Sequence, residues 1–220
     1  MNTPYQPFAN MRRHIEELHA HVYPQPIPAG GDNHTKWTEE ILSIFLPRLP
    51  LSKSVLDVGC GQGLAQHIFE AYGKHWTGVT LGEDYRVCKA LGLNVVNADM
   101  HDMFMFEDQS FDLVYIRHTA EHTYAPPLLL MELHRLCIFG MIFIVPIPKL
   151  SEEGIGDVVH GQNHWGLLPK ISWEAHLKTF GFNVVWENND EPSEVRFYCQ
   201  RVPRPRPIVT NNLPIIIGAV

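Results

Sequence analysis

Long hydrophobic runs are missing from this sequence. The longest apolar stretch, Ile138 to Ile147, is broken by Gly140 and Pro146. It is too short to cross a bilayer as a helix, which takes about 20 residues. Cysteine is scarce and scattered: Cys60, Cys88, Cys137 and Cys199 form no C-x-x-C pair. That spacing suggests neither a disulfide framework nor a zinc site, and it fits a reducing cytoplasm. The opening residues, Met1 to Asn10, are polar and proline-bearing, unlike a secretory leader. Positive charge is outweighed, with 17 Lys and Arg against 24 Asp and Glu and a net charge of −7. This balance argues against a broad nucleic-acid surface. A small-molecule partner is the expectation, with no membrane. No internal repeat is visible.

What is present is ordinary globular material, 45% hydrophobic and 19% charged over 220 residues, enough for one domain with appendages. Residues 1–34 read as a helical lid and linker. Phe8, Met11, Ile15, Leu18 and Val22 fall at helical spacing, and Pro24 to Gly31 is stiff and then flexible. Residues 35–200 read as the main domain. Trp37, Ile41, Ile44 and Phe45 lie on one helical face, which Pro47 and Pro50 end. Residues 201–220 form a tail, first Pro/Arg-rich and then apolar.

Within the main domain, strand and helix patterns alternate. Strands are expected at Ser54–Val58, His75–Thr80, Asn94–Ala98, Phe111–Ile116 and Met141–Val145. Helices are expected over Leu64–Tyr72, Tyr85–Leu91, Pro127–Leu136 and Ser172–Phe180, with Ser172 as N-cap of the last. Asn183–Glu187 and Val195–Cys199 are two closing strands joined by a short polar turn that allows only an antiparallel return. Alternation of this kind predicts an α/β fold. It is a Rossmann-like, doubly wound, mostly parallel seven-stranded sheet with an antiparallel C-terminal hairpin, in an α-β-α sandwich.

The most informative stretch follows the first strand: Val55-Leu56-Asp57-Val58-Gly59-Cys60-Gly61-Gln62-Gly63. Glycines there let the backbone turn sharply and approach a ligand at the carboxyl edge of a parallel sheet. A dinucleotide fingerprint has the spacing G-x-G-x-x-G and closes on Gly or Ala. Here the glycines are Gly59, Gly61 and Gly63, position 64 is Leu, and Asp57 sits inside the strand. The stretch resembles motif I of class I S-adenosylmethionine-dependent methyltransferases. From about residue 35 to 200 the chain resembles that family, and its small-molecule type 11 branch in particular.

The resemblance implies S-adenosyl-L-methionine as cofactor and assigns parts. Asp57 and the backbone of Gly59, Cys60 and Gly61, closed by Gly63, would hold the amino-acid end. The usual ribose-binding acid at the end of the second strand is replaced by Thr80 and Leu81. Glu83 or Asp84 would then supply the hydroxyl-binding carboxylate, or both are solvated turn residues. Asp99 and Met100 match the adenine-binding position, against the alternative that Asp99 caps a helix. Arg117-His118-Thr119-Ala120-Glu121-His122 resembles the segment that lines the boundary between cofactor and acceptor, with Arg117 on the cofactor side.

Histidine suits proton removal near neutral pH, so His118 and His122 are candidate bases, against a purely structural role. His164 lies in the insertion that builds the acceptor pocket, next to Trp165. His160 and His164 are four apart, but Gly161 and Gly166 flank them and no helical period supports metal ligation. No metal site is expected. The family's Lys-Pro-Gly-Gly turn before the fifth strand is absent; Cys137-Ile138-Phe139-Gly140 stands there.

The expected activity is methyl transfer to an oxygen or nitrogen of a small-molecule or sugar acceptor. The alternatives are a cofactor-binding but inactive subunit of a complex and a nicotinamide enzyme. The Asn/Asp-Pro-Pro-Tyr and Pro-Cys motifs of base methylation are missing.

Overall fold

A computed structural model describes Arg13 and residues 33–151, 154–156, 166–188 and 193–203. The expected N-terminal helix, apart from the helical Arg13, and the apolar tail lie outside the described residues. So do His160, His164 and Trp165.

The main sheet has seven strands: β1 Ser54–Val58, β2 His75–Thr80, β3 Val95–Asn97, β4 Phe111–Arg117, β5 Cys137–Pro146, β8 Phe182–Asn188 and β9 Glu194–Arg201. Their order is β3-β2-β1-β4-β5-β9-β8. The first five are parallel, β9 runs antiparallel to β5, and β8 antiparallel to β9. The doubly wound sheet with its antiparallel close is thus as the alternation predicts. A small antiparallel hairpin, β6 Lys149–Ser151 and β7 Gly154–Gly156, sits in the insertion after β5. Its three-residue strands are too short to leave a period in the sequence.

The helices are α1 Asn33–Phe45, α2 Gln66–Ala71, α3 Gly82–Ala90, α4 Pro126–Leu136 and α5 Lys170–Thr179. The buried stripe of α1 is Thr38, Ile41, Leu42 and Phe45, while Trp37 is 44% exposed. This corrects the expected face by one position. Thr38 earns its burial by hydrogen bonds, donating to the His34 carbonyl and accepting from Arg117. Gly59, Gly61 and Gly63 all hold positive φ (+73°, +52° and +77°), and an α-helix cannot propagate through left-handed residues. Helix α2 starts at Gln66, later than expected, because the chain leaves Gly63 in a tighter turn, with the Gln66 N–H donating to the Gly63 carbonyl at 3.1 Å. Helix α5 starts at Lys170 behind Pro169, so Ser172 is inside it and is not its cap. Strand β5 begins at Cys137, directly after α4, with a register shift against β4 between Phe111 and Leu113. The missing family turn is therefore replaced by an early, irregular strand start.

Side-chain alternation assigns each strand residue to one of two cores. Leu56, Val58, Val114, Ile116 and Phe143 pack with α4 and with Trp173 and Leu177 of α5. Val55, Leu113, Tyr115, Ile142 and Ile144 pack with Ile41, Leu42 and Phe45 of α1 and Phe69 of α2. Asp57 and Arg117 share parity with Val55 and Tyr115, which directs both charged side chains toward the α1 layer.

Candidate functional site

The carboxyl ends of β1, β2, β3 and β4 lie along one edge of the sheet. Gly59 and Cys60 donate their N–H groups to the Val79 carbonyl, at 2.8 and 3.0 Å. Those two donors, expected to face a ligand, instead tie the turn to β2. A Cβ on Gly59 would stand 2.2 Å from Thr119 Oγ1, and one on Gly63 would stand 2.6 Å from Leu93. Glycine is required there by packing within the protein. Gly61 differs: among the described residues nothing lies within 4 Å of the Cβ position, which leaves room for a ligand beside its backbone.

Asp57 lies beneath this turn, buried, with Oδ2 accepting the Trp76 indole N–H at 3.0 Å. Burial pushes its carboxyl up to about 7, opposed by the Trp76 bond and by the Arg117 charge. Thr80 is buried at the end of β2. Leu81 precedes α3, and Glu83 in the first turn of α3 pairs with Arg86 in solvent. Asp99 is buried, and its Oδ1 accepts the backbone N–H of His101 at 2.8 Å. The same oxygen meets His101 Nδ1 at 2.6 Å, and His101 Nε2 meets Thr123 Oγ1 at 2.6 Å. Met100 packs on the α4-side core. The loop after β3 is thereby clamped to the segment after β4.

That segment carries the site's other half. Thr119 packs over Gly59 and donates to the Arg117 carbonyl at 3.0 Å. His118 beside it has φ +49°, a left-handed conformation that costs a non-glycine residue about 1 kcal/mol. Its N–H donates to the Ile144 carbonyl of β5. The ring Nε2 stands 2.6 Å from Glu194 Oε2, while 37% of the side chain remains exposed. Glu194 opens β9 opposite Pro146, so the antiparallel return of β9 delivers it to the ligand edge. Burial pushes Glu194 up, but hydrogen bonds from His118 and Arg196 outweigh it and hold the carboxyl below its usual range. With that carboxylate ionised, Nε2 carries the shared hydrogen and Nδ1 keeps its lone pair.

Glu121 is buried next to this pair. Its Oε1 lies 3.8 Å from His118 Nδ1 and 4.0 Å from His122 Nε2. Burial pushes its carboxyl up to about 8; a local backbone hydrogen bond and Arg117 oppose the rise, and Glu194 adds to it. Its backbone carbonyl accepts the Gly166 N–H at 2.7 Å. Among the described residues, the buried side-chain atoms without a hydrogen-bond partner are Gln62 Nε2, Tyr115 Oη, Arg117 Nε, Glu121 Oε2 and Trp173 Nε1. The first four belong to the glycine turn, to β4 or to the segment after β4. Buried polar groups are ordinarily satisfied, so such a set is one a polar ligand could complete. Donors from Gln62 and Arg117 suit a carboxylate and Asp57 suits a cation, as the zwitterionic end of an amino acid would require.

Arg117 closes β4 and His118 follows it, and the structure gathers Glu194, Glu121, Gln62 and His101, which the sequence did not single out, at the same edge. Glu121 lies inside the quoted segment, and its burial is the signal that spacing cannot carry. Glu194 has no local signal at all. Among the described residues no cluster of three or more His, Cys, Asp or Glu could hold a metal ion.

Comparison with known proteins agrees with this fold. Residues 56–145 match the family model described as a methyltransferase domain. No curated protein matches the sequence. Among solved structures, the PH0226 protein of Pyrococcus horikoshii OT3 superposes with a TM-score of 0.68 at 17% identity, covering 83% of this chain and 98% of its own. A SAM-dependent methyltransferase of Archaeoglobus fulgidus gives 0.63 at 18%, covering 76% and 94%. The 1,6-didemethyltoxoflavin-N1-methyltransferase of Burkholderia thailandensis, solved with 1,6-didemethyltoxoflavin and S-adenosylhomocysteine, gives 0.62 at 16%, covering 92% of each chain. At these identities the superpositions establish the fold.

Proposed function

We propose, from the premise that this chain has the fold and the matched segment of a class I S-adenosylmethionine-dependent methyltransferase, that it transfers a methyl group to an oxygen or nitrogen of a small-molecule or sugar acceptor. The observation that carries the reading is the His118–Glu194 pair, 2.6 Å apart, next to the residue that packs over Gly59. A base oriented by a buried carboxylate is useful only if the acceptor atom bears a proton that must leave.

S-adenosyl-L-methionine, when bound, supplies a methyl carbon already activated by its sulfonium. The chain's own residues then do the rest. The open backbone of Gly61, with Gln62 Nε2 and Arg117 Nε, holds the carboxylate end. Asp57 balances the cationic end from below. Asp99, with Met100, meets the adenine, and Thr80 and Leu81 border the ribose. Transfer is an in-line displacement, so alignment at near-attack distance supplies most of the rate. The acceptor's heteroatom, so aligned, would take the methyl carbon from the sulfonium, with the thioether as leaving group. Its proton passes to His118 Nδ1, and Glu194 stabilises the charged ring.

The test incubates the full chain with methyl-labelled S-adenosylmethionine and a panel of small hydroxyl and amine compounds. Release of S-adenosylhomocysteine that depends on acceptor, and that falls in His118→Asn, supports the reading. Release that is unchanged in His118→Asn refutes the assigned base.

A further inference from the structure

The space between His118 and Glu121 says more about the acceptor than the fold does. His118 is fixed: Glu194 holds Nε2, the Ile144 carbonyl holds the backbone, and Nδ1 is left as an acceptor. Glu121 is fixed too, because its backbone carbonyl takes the Gly166 N–H and its side chain is buried with Oε2 unpartnered. Nδ1 and Glu121 Oε1 are 3.8 Å apart, too far to bond each other. An atom placed between them at an N–H···O length of about 2.9 Å from each closes that gap. So a single atom can bridge the two acceptors at the carboxyl end of β4.

We propose that this point holds a nitrogen bearing two hydrogens, which makes the acceptor a primary amine; the proposal rests on the methyltransferase reading above. An amino group offers one N–H to Nδ1 and one to Oε1, and its lone pair remains free to attack. A hydroxyl has a single hydrogen and leaves one of the two acceptors unpaired. Charge points the same way. Nitrogen becomes cationic as the carbon–nitrogen bond forms and the carbon–sulfur bond breaks. The Glu121 carboxyl stands beside that developing charge, and Glu194 lies across the His118 ring from it. The proton released from the methylated nitrogen goes to His118 Nδ1, so charge and atoms balance: amine and sulfonium give methylamine, thioether and a protonated imidazole. Discrimination by a buried hydrogen-bonding group is steep, because the wrong ligand strands it without a partner.

The experiment loads the full chain with S-adenosylhomocysteine and titrates matched pairs by NMR, benzylamine with benzyl alcohol and phenethylamine with phenethyl alcohol. The expected result is at least tenfold tighter binding of each amine. That preference collapses to less than threefold in Glu121→Gln, while S-adenosylhomocysteine affinity stays within about twofold, as expected of a residue on the acceptor side. Equal binding of the pairs, a preference for the alcohols, or an amine preference that survives Glu121→Gln overturns the proposal. Absence of S-adenosylhomocysteine binding in the wild type is a different outcome: it refutes the cofactor reading on which this one stands. His118→Gln is the second variant, with the same loss of preference expected and its survival again contradicting the assignment.

Discussion

Replacing Asp57 by Asn separates the cost of this site from its use. The carboxyl is 3% exposed and its pKa rises from 3.8 to about 7 on folding. Below pH 3.8 both native and unfolded chains hold the proton, and the carboxyl costs nothing. Between 3.8 and about 7 the unfolded chain releases its proton while the native chain keeps it, so native stability falls with rising pH. Above about 7 both are ionised and the penalty is constant. Each unit is about 1.4 kcal/mol, so the full penalty approaches about 4 kcal/mol. Asn keeps an oxygen for the Trp76 indole, and the pKa of about 7 already includes the stronger bond to the charged form. Asp57→Asn should therefore be more stable than wild type at pH 8 by about 2–4 kcal/mol and about equal near pH 4. Urea unfolding of cofactor-free protein across that range reads it directly. The same variant should bind the cationic cofactor more weakly. A variant less stable at pH 8, or a difference that does not change with pH, would refute the reasoning.

Three further outcomes follow. Glu194→Gln should lower kcat about 100-fold while S-adenosylmethionine binding holds, since it orients a base and does not touch the cofactor; an unchanged kcat, with a working acceptor in hand, counts against the pair. Gly59→Ala combines a left-handed φ with a Cβ 2.2 Å from Thr119 Oγ1 and should cost about 3 kcal/mol. In a Thr119→Ala background that loss should shrink by about 1 kcal/mol or more, and a double-mutant cycle showing no coupling would contradict the contact. A proton should be released as the cofactor's cation binds and Asp57 ionises, so affinity should rise from pH 6 to 8; calorimetry in buffers of different ionisation enthalpy measures it.

Much of this architecture was legible because it is local. Strand β1 with its glycines, β5 with its apolar run, and Gly181 after α5 each announce themselves within a few residues. The face of α1 was misplaced by one position because Thr38 is buried through its hydrogen bonds to His34 and Arg117, partners that hydrophobicity does not register. At the site the division is sharper. Asp57 and His118 were visible as residue types at strand ends. The roles of Gly59 and Cys60 N–H were not, since a partner on β2 claims both. Glu194 lies 76 positions from His118 and reaches it only because β9 returns beside β5. No single-sequence pattern encodes that pairing.

The central claim is that the crevice around Gly61 binds S-adenosylmethionine, and a calorimetric titration of S-adenosylhomocysteine into wild type and Gly61→Asn tests it most directly. Asn tolerates a left-handed φ, so the fold should persist while its side chain enters the open space beside the turn. Micromolar binding in the wild type, lost by a factor of about 100 in Gly61→Asn, is the predicted result. No binding at millimolar ligand, or equal affinity in both proteins, would contradict it.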